Sequence, residues 1–314
     1  MQRKDVRHVY KHISFVLPLV DRYSVLALAA FTMRLTSVFS SLLALSPVIG
    51  GAAAFSHNDF SCRSTAHPNP VVLLHGLGAT YYEDLNFLAS FLQSEGYCTF
   101  SLTYGAYPGF PFVGGLRAVS ESAPEIAAFI KEVHSKTGAN KVDLIGHSEG
   151  GFQSLYVPKF EDVAPLLDKI VAIAPPTHGT TLNGVYNLAY VLGNSSRELV
   201  RTALYTVGCP ACDDLGPGGL AVERLNDGQP IAQPGTALTV IQSRSDELVT
   251  PPETAFVQEP GVWNVWVQDF CPHDRVGHLG EAYDKNVWYI VRNALESAQD
   301  RKFNCTIGGF PARV

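Results

Sequence analysis

The chain has 314 residues, 46% of them hydrophobic and 17% charged, with a formal net charge of −6. That length and apolar content can bury a full core, which excludes a disordered chain. The acidic balance and scattered basic residues exclude a nucleic-acid footprint.

The N-terminus reads as a leader. Residues 1–32 carry basic residues and an apolar run broken by Asp21 and Arg22. Met33-Arg34 then opens a second pattern, apolar through Leu45 and Ile49 and ending in Ala52-Ala53-Ala54 before Phe55. This is a signal-peptide pattern with an A-x-A cleavage site. Residues 1–54 are therefore expected to be a leader whose signal peptide starts at Met33, and 55–314 a single domain. The uncharged run 35–55 is long enough to span a bilayer, so a type II membrane anchor is the rival, although its Ser, Gly and Pro content favours cleavage.

The first element after the leader is Val71–Gly78, VVLLHGLG, a continuous apolar run that predicts a buried parallel strand over 71–75 entering a tight loop. His75 reads as a residue bracing that loop. A helix near 84–95 and a strand over 97–104 come next. The loop Thr103–Leu116 is rich in aromatics, Gly and Pro and follows a strand C-terminus, where open α/β sheets bind ligands. Its Tyr107, Phe110 and Phe112 are candidate substrate-binding residues. A helix near 121–137 has Ile126, Phe129, Ile130 and Val133 on one stripe, Ser120 or Ser122 as its cap, and Gly138 past its end.

Lys141–Ile145 then reads as a buried strand feeding the turn Gly146-His147-Ser148-Glu149-Gly150, a G-x-S-x-G pattern, and Pro158 is expected to stop the helix that follows. A serine on so sharp a strand-to-helix turn is a candidate nucleophile. It needs a histidine to take its proton and a carboxylate to orient that histidine. After a strand at 169–174, the stretch Thr177–Thr236 is too long for a simple connection and is expected to cap the site in a lid-like way. The strand Ala237–Ser243 leads into a loop holding Asp246, the preferred acid, with Glu247 as competitor. The strand Val262–Asp269 leads into a loop with His273 and His278; His278, at the head of the helix-like segment Leu279–Ser297, is the preferred base. One oxyanion donor is the N–H of Glu149, and the other comes from the loop after the first strand, at Leu77. Glu149 is expected to place negative charge near the pocket mouth. Strands alternating with helices predict an α/β fold with a mostly parallel central sheet and helices on both faces.

All six cysteines follow the leader, as suits an oxidising compartment. The expected pairs are Cys62 with Cys98, Cys209 with Cys212, and Cys271 with Cys305. The Cys209-Pro-Ala-Cys212 motif has a redox or zinc reading, but no second pair of ligands stands at metal spacing. Asn194 and Asn304 begin glycosylation sequons.

The segments HGLG, GHSEGG, PPTHGTTLNG (175–184), GCPACDDL (208–215), SRSDELVTP (243–251) and GHLGEAYD (277–284) occur in the order found in secreted class 2 lipases and esterases, and the resemblance spans about 62–306. It implies an α/β-hydrolase catalytic domain over 55–314. It also implies Ser148 as nucleophile, Asp246 as acid, His278 as base, and Leu77 with Glu149 as oxyanion donors. The chain departs from that family at Glu149, where a neutral residue is usual. The expected protein is a monomeric, secreted ester hydrolase with no metal or organic cofactor, acting on a lipid or ester and touching a lipid interface transiently. The rivals are an acyltransferase, a cutin-like polyester hydrolase, and a non-catalytic binding module on the same fold.

Overall fold

The computed structural model describes residues 57–181, 184 and 194–306. The expected leader, its signal peptide and the membrane-anchor alternative lie outside the described residues, among which no helix is long and apolar enough to cross a membrane.

In chain order the elements are β1 (Val71–Leu74), α1 (Asn86–Ser94), β2 (Thr99–Ser101), α2 (Val119–Thr137), β3 (Val142–His147), α3 (Glu149–Phe160) and β4 (Leu167–Ile173). They continue with α4 (Asn194–Thr206), α5 (Pro210–Asp214), α6 (Leu220–Leu225), β5 (Ala237–Gln242), β6 (Trp263–Trp266), α7 (Val267–Phe270), α8 (His278–Glu281) and α9 (Lys285–Leu295). The six strands form one parallel sheet in the order β2-β1-β3-β4-β5-β6.

Every residue of β1 and β3 is buried, because the sheet is covered on both faces and successive side chains point to opposite sides. Val72, Leu74, Leu144, Ala172 and Val240 join one apolar cluster with Ile126, Ile130 and Val133 of α2 and Phe152, Leu155 and Tyr156 of α3. Their strand neighbours Val71, Leu73, Ile145, Val171 and Ile241 join the other, with Leu88 and Leu92 of α1 and Val287, Ile290 and Val291 of α9. Each buried Val, Leu, Ile or Phe side chain among them contributes about 1.5–3 kcal/mol.

Strand order reverses between β1 and β3, which lie side by side with Leu74 opposite Gly146. A crevice opens beyond the strand C-termini at such a point. Here it brings the HGLG loop after β1 against the serine turn after β3.

Several boundaries differ from expectation for local reasons. Helix α2 starts at Val119, its N-cap is Ala118, and neither Ser120 nor Ser122 caps it. The cap is supplied from α5, where Asp214 Oδ2 accepts the Val119 N–H at 2.9 Å. Pro158 does not stop α3; it sits in the last turn, and the helix runs two residues further, to Phe160. The segment read as the end of the last strand turns helical at α7, where the Asp269 carboxylate accepts the Trp266 N–H at 3.3 Å. The last helix is divided in two, because Asp284 caps α9 by accepting the Asn286 N–H at 2.6 Å.

Three disulfides form, Cys62–Cys98, Cys209–Cys212 and Cys271–Cys305, with Cα separations of 5.8, 5.3 and 5.6 Å. The last ties the segment ahead of His278 to the C-terminal tail.

Candidate active site

Ser148 stands between β3 and α3 with φ 56° and ψ −120°. Such a backbone costs a non-glycine residue about 1–3 kcal/mol and persists only where the surroundings enforce it. The enforcement is steric. A β-carbon on Gly146 would overlap the Gly150 carbonyl, and one on Gly150 would overlap the Leu74 carbonyl, so the glycines let strand, turn and helix close on one another. The Ser148 N–H is held by the Ile173 carbonyl at 2.9 Å, and its own carbonyl starts α3 by accepting from Phe152 at 3.0 Å.

The Ser148 hydroxyl lies 2.8 Å from His278 Nε2, and His278 Nδ1 lies 2.8 Å from Asp246 Oδ2. With Nδ1–H donating to the carboxylate, Nε2 is free to accept the serine proton. Asp246 is fixed by further donors: Oδ1 accepts from the amides of Leu248 at 2.8 Å and Val249 at 2.9 Å, and Oδ2 from the Gln242 amide at 3.2 Å. Both Asp246 and His278 are buried. Of the competitors, Glu247 binds the His278 main-chain N–H instead of its ring, and His273 is exposed to solvent.

The HGLG loop closes over the serine. A β-carbon on Gly76 would come to 3.2 Å from Ser148 Cβ, and the loop is pinned by Gly78 N–H on Gly114 O at 3.0 Å. Among the described residues, the N–H groups of Leu77 and Glu149 meet no backbone or side-chain acceptor. His75 is buried and braces this loop: Nδ1–H donates to Gly76 O at 2.8 Å, Nε2 accepts the Tyr104 N–H at 3.3 Å, and the ring stacks on Tyr104. Burial holds its imidazole below the usual pKa, in keeping with a neutral ring that needs one donor and one acceptor.

Glu149 corrects an expectation. Its side chain does not reach the pocket mouth; it is fully buried, packed under Gly115 and near Gln153. Neither carboxyl oxygen meets a donor at bonding geometry. Burial, and then the charge of Asp214, push its pKa well above the carboxylate range. A buried carboxyl without a donor or an ion pair among the described residues favours its protonated form.

A cavity of about 220 Å³ opens at Ser148 and His278, lined by apolar groups that include Leu77, Pro176, Leu215, Val249 and Leu279. Tyr107, Phe110 and Phe112 do not line it. The loop folds back on itself, with the Phe110 N–H on the Tyr107 carbonyl at 2.9 Å, so Tyr107 turns toward Gly208 and Phe110 and Phe112 point into solvent. The insertion supplies part of the cavity wall through Thr180, Cys212, Leu215 and Gly216. Its helix α4 is tied to α5 by a two-pronged ion pair, Arg197 to Asp213, at 2.6 and 3.1 Å.

Several site residues were not singled out by the sequence. Asp84 and His147 form a buried pair beside Ser148, and Glu281 lies buried three residues after His278 with its carboxyl raised by burial and by Asp246. Asp246, His278 and Glu281 offer ligand atoms within 4.8 Å of one another. Both His278 nitrogens are already committed to Ser148 and Asp246, so a metal there would dismantle the hydrogen-bond chain. Of the sequons, Asn304 is exposed, and the Asn194 side chain lies outside the described residues.

A sequence profile described as Alpha/beta hydrolase family matches residues 71–300. The triacylglycerol lipase of Pseudarthrobacter phenanthrenivorans is 35% identical over 117 residues, 35% of this chain and 34% of that protein. The triacylglycerol lipase of Pseudomonas fragi is 29% identical over 142 residues, 44% of each. The chain thus spans less than half the length of these curated relatives. The crystal structure of Aspergillus fumigatus lipase B aligns with a TM-score of 0.56 at 19% identity, covering 83% of this chain and 57% of that one, a likeness of fold.

Proposed function

The chain belongs to the alpha/beta hydrolase family, and from that premise we propose that it is a secreted serine hydrolase that cleaves carboxylic esters, acylglycerols foremost, with 55–314 as its catalytic domain. The observation that carries this reading is the unbroken hydrogen-bond chain Ser148–His278–Asp246 at the floor of an apolar cavity. Ser148 attacks the ester carbonyl as His278 Nε2 takes its proton, and Asp246 stabilises the imidazolium. The oxygen that becomes negative is received by the Leu77 and Glu149 amides, each such donor being worth about 10²–10³ in rate. His278 then protonates the departing alcohol, and water repeats the sequence to free Ser148 from its acyl group.

The apolar lining suits an acyl chain, and exposed Leu77 and Leu279 at the rim suit transient contact with a lipid surface. Secretion is supported by the pairing of all six cysteines, and Asn304 is the exposed candidate for glycosylation. The test is hydrolysis of p-nitrophenyl esters by the wild type and Ser148→Ala, with fluorophosphonate labelling in parallel. Turnover and labelling lost together in the variant support the reading; full activity in Ser148→Ala overturns it.

A further inference from the structure

His147 has an acceptor at each ring nitrogen. Nδ1 lies 2.7 Å from Asp84 Oδ1 and Nε2 lies 3.0 Å from the main-chain oxygen of His278. A neutral imidazole carries one N–H, so beside an Asp84 carboxylate one of these contacts would set two lone pairs against each other. With Asp84 as a carboxylate, the form that its Gly76 N–H bond favours, both are satisfied only when the ring carries two protons. His75, equally buried, shows the contrast, because its ring faces one acceptor and one donor.

Asp84 is tied just as firmly. Its Oδ2 accepts the Gly76 N–H at 2.6 Å, and its own N–H reaches the Tyr283 hydroxyl at 3.0 Å. Both members of the pair are buried. Burial is the largest single influence and opposes charge on each. The partner's opposite charge and the hydrogen bonds at the pair, Gly76 and His278 together outweigh it, so Asp84 lies below its usual pKa and His147 above. The other titratable groups facing the pair are Asp246 and His278 on the His147 side, and His75, Glu83, Tyr104 and Tyr283 on the Asp84 side.

A buried ion pair is by itself weak evidence for anything beyond packing. What sets this one apart is where its remaining bonds go. One reaches Gly76, the residue before the Leu77 amide. Another reaches the backbone of His278. The imidazole itself belongs to the residue before Ser148.

We propose that Asp84 and His147, as a carboxylate and an imidazolium, form a positioning pair that fixes the distance between the oxyanion loop and the His278 main chain across Ser148. This rests on the roles given above to Ser148, His278 and Leu77. Neither residue touches the reacting atoms. Their effect is on the alignment of the groups that do, and misalignment of about 1 Å at a reacting centre costs on the order of 100-fold in rate.

The experiment has two arms. The first is ¹⁵N NMR of the imidazole groups in Ser148→Ala, which reads the pair whether or not the chain hydrolyses esters. Two His147 ring N–H protons are expected at neutral pH and still at about pH 8.5; a ring with a single N–H overturns the proposal. The second is kinetics of Asp84→Asn and His147→Asn. The expectation is a kcat lower by on the order of 100-fold with KM within about threefold, slower phosphonate labelling, and partial recovery in Asp84→Glu. Wild-type kcat in folded Asp84→Asn overturns it. If Asp84→Asn does not fold, the NMR arm still decides. A wild type with no esterase activity but a doubly protonated His147 would sink the proposed function and leave the ion pair standing.

Discussion

The Glu247 carboxylate accepts the main-chain N–H of His278 at 3.1 Å, while Asp246, one residue earlier, accepts the ring N–H of the same histidine at 2.8 Å. Two adjacent acids thus hold one histidine at two points. Gly277 makes room for this, since a β-carbon there would overlap the Glu247 carboxylate. The two grips differ in environment: Asp246 is buried and Glu247 is exposed, so water can replace the latter.

Glu247→Ala should therefore lower kcat by about tenfold or less, and Glu247→Gln, which keeps an acceptor, by about twofold. Asp246→Asn should cost far more, because it removes the charge that stabilises the imidazolium. Steady-state kinetics on one soluble ester would check this. Equal losses in Glu247→Ala and Asp246→Asn would show that Glu247 is the orienting acid.

Glu149 should leave its mark on the alkaline side of the pH profile. Its carboxyl is raised by burial, faces Asp214, Tyr104 and Gln153, and forms no ion pair among the described residues. Burial favours its neutral form, and that stabilising form is lost as pH rises through the raised value. An ionised Glu149 would set a negative charge beside the amide that receives the oxyanion. Glu149→Gln should thus match the wild type near neutrality and hold its kcat further into alkali. Superimposable alkaline limbs would dispose of this idea.

The parts legible in the sequence were those governed by local pattern. β1, β3 and β5 stand out as largely apolar runs because strands buried on both faces are near-continuously apolar. The meeting of Ser148, Asp246 and His278 could be expected because each follows a strand C-terminus. Contacts remote in sequence were not legible. The cap of α2 comes from Asp214, 95 residues away, and Asp84 reaches His147 across 63 residues from a loop without a motif. The one local sign of that pair was a histidine inside G-x-S-x-G. Tyr107, Phe110 and Phe112 were placed at the cavity by composition, but a loop that bonds to itself decides where its rings go. Glu149 was misread because side-chain direction at the first residue of a helix depends on what packs against it.

Asp143 should make stability fall with pH. It is buried at the start of β3, and although Asn69 and the Lys169 amide donate to it at 3.1 Å each, burial raises its pKa to about 7. A carboxyl raised on folding binds its proton more tightly in the native state. Its contribution is complete below the ordinary carboxylate range and is lost as pH climbs to about 7. The loss is roughly 1–4 kcal/mol. Asp143→Asn keeps the acceptor oxygen and cannot ionise. Its melting temperature should exceed that of the wild type at pH 8 and converge with it near pH 4. Parallel melting curves across that range would mean that Asp143 is ordinarily ionised.

The cavity volume bears on acyl-chain length. About 220 Å³ is below the roughly 300–1,000 Å³ of pockets that enclose a whole drug-sized ligand. A short acyl group fits inside, whereas a long one must run out over the rim, where Leu279 is 63% exposed and Leu77 39%. Each methylene covered there gains up to about 0.8 kcal/mol. In a p-nitrophenyl series from acetate to palmitate, Leu279→Ser should leave acetate turnover nearly unchanged. It should reduce kcat/KM for long chains by about tenfold, mostly through KM. A uniform loss along the series would instead place Leu279 in the support of His278, its chain neighbour, and leave the path of the acyl chain to another face of the insertion.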